Sequence, residues 1–311
     1  ASCLVGSEMC IRDRVWDDHE VANDNWREGA ENHTEGKEGA FLDRRKAAMQ
    51  AYFEWMPVRA TNPSEQGHLY RSLTFGDLVE LTMMDLRTYR DEQVRFGPHK
   101  MAAEGRTMLG SEQYNWLLNK IETSSAKWNM LGNSVMFSPM NLATLQKDDK
   151  TKPVSSSLSS NITGIPVNGD QWDGYSAERR LLIDALSKHD AHTLFVTGDI
   201  HSEWAHNISK DGRIFGAELV CASVSAPNVN EQLKLPEGNE LSKLAERYLL
   251  GANPHTRHVD LDHHGYSFVT VRPDSAEMHW LRVDNLLTAK SPVREAVTMT
   301  WRPGKGLSLI H

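Results

Sequence analysis

Two short stretches bring carboxylates and imidazoles together in patterns suited to metal chemistry. In Phe195-Val196-Thr197-Gly198-Asp199-Ile200-His201-Ser202-Glu203-Trp204, an apolar run ends abruptly in Gly-Asp-Ile-His. The run suits a buried parallel strand, and a spacing of two lets Asp199 and His201 project to one side of its carboxyl end. Open α/β sheets keep their ligands at that end. A carboxylate and an imidazole there suit a hard or borderline cation. The plainer alternative is an Asp that caps a helix and a histidine near the surface.

The second stretch, Trp16-Asp17-Asp18-His19-Glu20, lies far upstream. Fully extended, its polar residues alternate in direction and cannot all meet one ion; at a strand-to-loop junction two or three of them converge. Asp18 as an oxygen ligand, with His19 beside it as proton donor to a leaving group, is what a metal-assisted hydrolase needs. A solvated acidic turn before a helix is the alternative, since short polar motifs give many false positives. Two such groups at strand ends in one domain are what a dinuclear site draws on.

A third group, His255, His258, His263 and His264 among Asp260 and Asp262, has the composition of a metal site or of an ordinary polar loop. Arg59, Arg87 and Arg90 are candidate binders of phosphate or carboxylate, their guanidinium forks being bidentate where lysine is not. Their alternative is an ion-pair network with Asp85 and Asp91. Trp172, Tyr175 and Trp204 are candidate walls of a substrate pocket or members of the core. The chain has no P-loop, no dinucleotide fingerprint and no Gly-x-Ser-x-Gly elbow.

These residues need a scaffold, and the pattern supplies one. Helix formers run from Phe41 to Trp55 and stop before Pro57. Tyr70–Gly76 and Leu78–Asp85 read as two strands, the second ending in the charged cluster Asp85 to Asp91. Ser111 is placed to cap a helix whose Tyr114, Leu117, Leu118 and Ile121 share one face, and Ser176 to cap another with Leu182, Ile183 and Leu186 inward. Trp128–Phe137 is a strand interrupted at Gly132-Asn133. From Asn141 to Asp170 a long polar stretch has no usable period. Lys210-Asp211-Gly212 is a hairpin turn leading into a strand from Arg213 to Ala222. Tyr266–Val271 and Glu277–Val283 alternate about Pro273-Asp274-Ser275 as a closing β-hairpin.

The whole chain has 311 residues, 39% of them hydrophobic, and a formal net charge of −8. With a mean hydropathy of −0.52 it has the composition of a soluble globular protein with a large core and no membrane span. The negative balance opposes a nucleic-acid scaffold role, which needs a positive field. Cys3, Cys10 and Cys221 form no disulfide framework and no paired ligand spacing; Cys221 reads as a small buried hydrophobe.

In the order in which they occur, six blocks resemble the PhoD-type alkaline phosphatases (alkaline phosphatase D) of the metallophosphoesterase superfamily. They are Trp16 to Glu20 with Asn23 and Trp26, Glu54 to Arg59, Asp85 to Asp91, Leu109-Gly110 with Gln113 and Trp116-Leu117, Trp172 to Tyr175, and Thr197 to Ser202 with Trp204. The resemblance implies an α/β fold, a two-sheet metallophosphoesterase-like sandwich flanked by helices. It implies hydrolysis of phosphate monoesters or diesters by metal-activated water, with Asp18, Asp199 and His201 as metal ligands and His19 as the catalytic histidine. By the same resemblance the cofactors are Ca2+ and Fe3+, other divalent metals being possible. The partner is a small phosphate ester, and the location is periplasmic or secreted.

Residues 1–14 resemble translated sequencing-adapter read-through and residues 306–311 have the same foreign look, so little order is expected at either end. Residues 15–305 are then the phosphatase-like domain, without the family's earlier Asp- and Cys-bearing strands and with a sheet edge left unpaired. Half a metal site and slow turnover are expected. Two alternatives remain at this stage: a phosphodiesterase or phospholipase-D-like hydrolase on the same site, and a non-catalytic calcium-binding module.

Overall fold

Seven strands form a mixed sheet whose parallel centre follows from the alternation of buried strands with amphipathic helices. The computed structural model describes residues 14–58, 60, 67–95, 97–144, 164–166 and 168–310. The large sheet contains β1 (Arg71–Phe75), β2 (Val79–Met83), β3 (Trp128–Asn133), β6 (His192–Thr197), β7 (Glu203–Lys210), β8 (Arg213–Val220) and β9 (Thr256–Asp260). Its order is β1-β2-β3-β6-β8-β7-β9. The pairs β2–β3, β3–β6 and β6–β8 are parallel, and the remaining pairs are antiparallel. A short pair, β4 (Asn141–Thr144) and β5 (Gly164–Pro166), lies within the polar stretch.

A second sheet of four antiparallel strands comprises β10 (Gly265–Arg272), β11 (Ser275–Val283), β12 (Val293–Arg302) and β13 (Gly306–Leu309). The expected hairpin is β10–β11, but it does not close the sheet. Val297, Met299 and Trp301 alternate with polar residues on β12, a period-two signal that the sequence carries. Order at the carboxyl end also differs from expectation, because Gly306–Leu309 pairs with β12 and Leu307 is buried. The Leu307 amide donates to Asn207 Oδ1 at 2.9 Å, which fixes this end to β7.

The two sheets face each other across one apolar layer. Trp128, Leu194, Ala217 and Leu219 of the large sheet meet Met278, Trp280, Met299 and Trp301 of the small one. Two indoles also satisfy their N–H groups across this interface, Trp128 on the Arg272 carbonyl and Trp280 on the Val220 carbonyl. Four longer helices, α1 (Phe41–Trp55), α2 (Gly110–Thr123), α3 (Ser176–Leu186) and α4 (Glu240–Ala252), complete the layers. Leu117, Ile121, Leu182 and Leu186 of α2 and α3 pack with Leu131 and Phe195 on the other face of the large sheet. α1 places Met49 and Tyr52 against Trp16 and Leu69.

Neither serine expected to cap a helix does so. α2 starts at Gly110, whose φ of 70° suits glycine. The Glu178 carboxylate accepts from the amides of Met108 and Leu109, and Thr107 Oγ1 accepts from that of Gly110. Ser176 follows a 3-10 turn, Trp172–Tyr175, so the chain is already helical when it arrives. Arg59, Cys3, Cys10 and most of the polar stretch lie outside the described residues.

Candidate metal centre

The carboxyl ends of β2, β3 and β6 open on one side of the sheet, and three acidic segments converge there. Asp199 follows β6, Asp17 and Asp18 come from the amino-terminal coil, and Asp170 precedes the 3-10 turn. Asp17, Asp18 and Asp199 each offer a carboxylate oxygen within 4.8 Å of the others. Among the described residues they are the group of ligand-type side chains so arranged. Three oxygen donors this close fit a hard cation.

The segment after β2 supplies the opposing charge. Asp85 shapes it: its Oδ1 accepts from the Trp16 indole at 3.0 Å and from the backbone amides of Arg87 and Thr88. Gln113 of α2 brackets Asp85 through both its backbone groups. The turn so formed buries Arg87, whose side chain is 1% exposed. Its Nε donates to Asp17 Oδ1 at 2.6 Å and its Nη2 to Asp17 Oδ2 at 3.0 Å. Nη2 also reaches Asp199 Oδ1 at 3.2 Å, and Nη1 donates to both Asp170 oxygens at 3.0 and 2.9 Å. Arg90 holds Asp170 from behind, through its carboxylate at 2.5 Å and its carbonyl at 2.7 Å.

Electrostatics separate the paired acids. Burial favours the neutral form of Asp17, yet Arg87 overrides it and brings the pKa down to about 2. Burial and the charge of Asp17 push Asp199 well above the usual carboxylate range, with Arg87 only partly offsetting them. Behind the cluster, burial also raises Glu218 on β8, although it accepts from the amides of Phe137 and Ser138 and from Thr197 Oγ1.

The residues singled out in the sequence fare differently. Asp18 and Asp199 come together, and Asp18 Oδ2 also accepts from the Asp24 amide at 2.8 Å. His19 lies beside them with its side chain 78% exposed and Nε2 3.8 Å from Asp18 Oδ2. His201 does not join the cluster; its Nδ1 lies 3.1 Å from the Pro227 carbonyl. The strand ends at Thr197, and Asp199 and His201 adopt φ of 70° and 53°. The alternation that would align them requires extended backbone, so that expectation is corrected.

Trp172, Tyr175 and Trp204 are core residues rather than pocket walls, each at most 1% exposed. Their polar tips bond internally, to Asn133 Oδ1, the Asp91 carbonyl and Ser202 Oγ respectively. Arg87 and Arg90 do form an ion-pair network, but with Asp17, Asp170 and Asp199 in place of Asp85 and Asp91. The third histidine group is dispersed: His258 pairs with Glu203, His263 with Asp260 and Glu237, His264 with Glu231, and His255 with the Pro139 carbonyl.

Asp17 and Asp170 are the residues that sequence reasoning undervalued. Asp17 stands one place before Asp18, and Asp170 sits two residues before Trp172 at the close of the unperiodic stretch. Nothing local marks either as a partner of Arg87.

The PhoD-like phosphatase family model matches residues 13–280. Alkaline phosphatase D of Bacillus subtilis (strain 168) is 35% identical over 275 residues, covering 83% of this chain and 42% of that protein. A solved structure of PhoD superposes with a TM-score of 0.76 at 26% identity, over 96% of this chain and 54% of that one. The chain therefore spans about half the length of the relatives it matches. Because the family model matches most of the chain, and the mixed seven-stranded sheet with its four-stranded partner sheet superposes on PhoD, the chain belongs to the PhoD-like phosphatase family.

Proposed function

We propose that this chain hydrolyses small phosphate esters at a metal centre held by Asp17, Asp18 and Asp199. The observation that carries the reading is the convergence of three carboxylates within 4.8 Å at the carboxyl end of a parallel sheet in a PhoD-like chain. The donor set fits a cation: four carboxyl groups, Asp17, Asp18, Asp170 and Asp199, face the two guanidiniums of Arg87 and Arg90, so acidic groups outnumber basic ones. We take calcium with ferric iron as the cations, following the family resemblance. Bound metal supplies Lewis-acid polarisation of the phosphoryl group and a nucleophilic water at neutral pH.

The chain's own groups do the rest. Asp18 is held in its turn by the Asp24 amide, so one oxygen is fixed before a cation arrives. His19, exposed at the rim, is free to deliver a proton to the departing alkoxide. Asp199 must lose its proton to serve as a ligand, and Arg87 favours that loss. We assign the reaction to the periplasm or exterior by the same resemblance; among the described residues no helix is long and apolar enough to cross a membrane.

The test is an assay of the purified chain with calcium and ferric iron on a chromogenic phosphomonoester and a diester. Metal-dependent release of the chromophore is expected, abolished by chelation and by Asp199→Asn. Replacing His19 by Ala is expected to lower kcat by roughly 10²–10⁴-fold, the usual contribution of a positioned general acid. Hydrolysis indifferent to chelator would sink the metal reading.

A further inference from the structure

All three nitrogens of Arg87 are engaged by carboxylates. A guanidinium carries five N–H groups. Here four of them are used: one from Nε to Asp17, two from Nη2 to Asp17 and Asp199, and one from Nη1 shared between the two Asp170 oxygens. Its Nη2 also lies 4.0 Å from Asp18 Oδ1. The positive charge thus sits among the oxygens that converge as cation donors.

We propose that Arg87 is a tethered counter-ion, which neutralises Asp17 and Asp199 in the metal-free chain and yields them to an arriving cation. Three observations support the exchange. The Asp199 contact, at 3.2 Å, is the longest of the five and the first to give way. The Asp170 contacts are bidentate, and Arg90 pins Asp170 in turn, so Arg87 keeps an anchor after release. Asp18, the third donor, makes only the distant 4.0 Å approach to Arg87 and offers an arriving cation its first oxygen. Arg87 therefore opposes metal binding by its charge while preventing mutual repulsion of the acids in the metal's absence. Lysine would keep the charge but not the fork.

The inference rests on the metal-dependent reading above, and the test separates the two. Calcium binding is measured by calorimetry, and thermal melts are recorded with and without calcium, for the unaltered chain, Arg87→Gln and Arg87→Lys. Without calcium, Arg87→Gln is expected to melt lower than the unaltered chain. With calcium its melting temperature is expected to rise further than that of the unaltered chain, and its Kd to tighten about tenfold or more as the competing charge is lost. Arg87→Lys falls between. Equal or weaker calcium binding by Arg87→Gln overturns the inference and leaves Arg87 a plain positioning residue. Should Arg87→Gln fail to fold, the Nε–H resonance of Arg87 in the unaltered chain decides: calcium is expected to shift it and speed its exchange with water, and an unchanged resonance overturns the inference. If the unaltered chain and the variants alike bind neither calcium nor ferric iron, the metal reading falls and this inference with it.

Discussion

At the scale of single residues, the centre depends on how the chain leaves β6: the strand stops at Thr197, and Asp199, in left-handed backbone, joins Asp17 and Asp18. The passage from an apolar run into Gly198-Asp199 marks a strand end, and Asp199 is in the cluster. His201 misled because its direction depends on a positive φ that no neighbouring residue announces. The aromatic candidates misled for another reason: Tyr and Trp suit a pocket wall and a core equally until burial is known. Tyr175→Phe tests the corrected role. Losing the hydrogen bond to the Asp91 carbonyl is expected to cost about 0.5–1.5 kcal/mol of stability. KM for a chromogenic phosphate ester is expected to stay unchanged, and a raised KM with intact stability would restore the pocket wall.

At the scale of elements, helix and strand positions followed from period and breakers, and their terminations did not. α1 ends where Pro57 forbids continuation, as expected. The cap of α2 comes from Glu178, which lies 70 residues from Met108 and is invisible to local reading. The histidine-rich segment after β9 is likewise an ion-pair clasp whose partners are distant. His263 Nδ1 lies 2.8 Å from Asp260 and Nε2 3.1 Å from Glu237, with Arg282 also on Asp260 at 3.0 Å. The hydrogen bond to Asp260 raises the pKa of His263 above its ordinary value, with burial and Arg282 opposing. A raised folded-state pKa makes the charged ring stabilising below pH 6.5, and that stabilisation fades as pH rises through the folded value. The unaltered chain is therefore expected to exceed His263→Gln in melting temperature at pH 6 and to lose most of that advantage by pH 9. His206, which burial keeps neutral, has the opposite pH dependence, so the difference between the two proteins is the quantity to follow. A gap that widens with pH would exclude the clasp.

At the scale of the whole molecule, the two-sheet α/β sandwich was expected and found, but the small sheet is larger than its hairpin. Little order is expected of residues 306–311 from the sequence, yet Gly306–Leu309 forms a strand whose pairing partner Met299–Arg302 and anchor Asn207 lie elsewhere in the sequence. Removing residues 306–311 is expected to lower the melting temperature by several degrees, since it exposes the β12 edge and leaves the buried side chain of Asn207 without a partner. An unchanged melt would show the strand to be dispensable.

The small sheet lies wholly in the last part of the chain, and it covers the face of the large sheet that carries Trp128, Leu194 and Leu219. During synthesis the parallel strands and their helices emerge before β10 to β13, the strands that cover that apolar face among the described residues. A nascent chain released before β10 to β13 is therefore expected to expose that face and to aggregate more readily than the 311-residue chain, which light scattering of a chain ending at residue 264 would check.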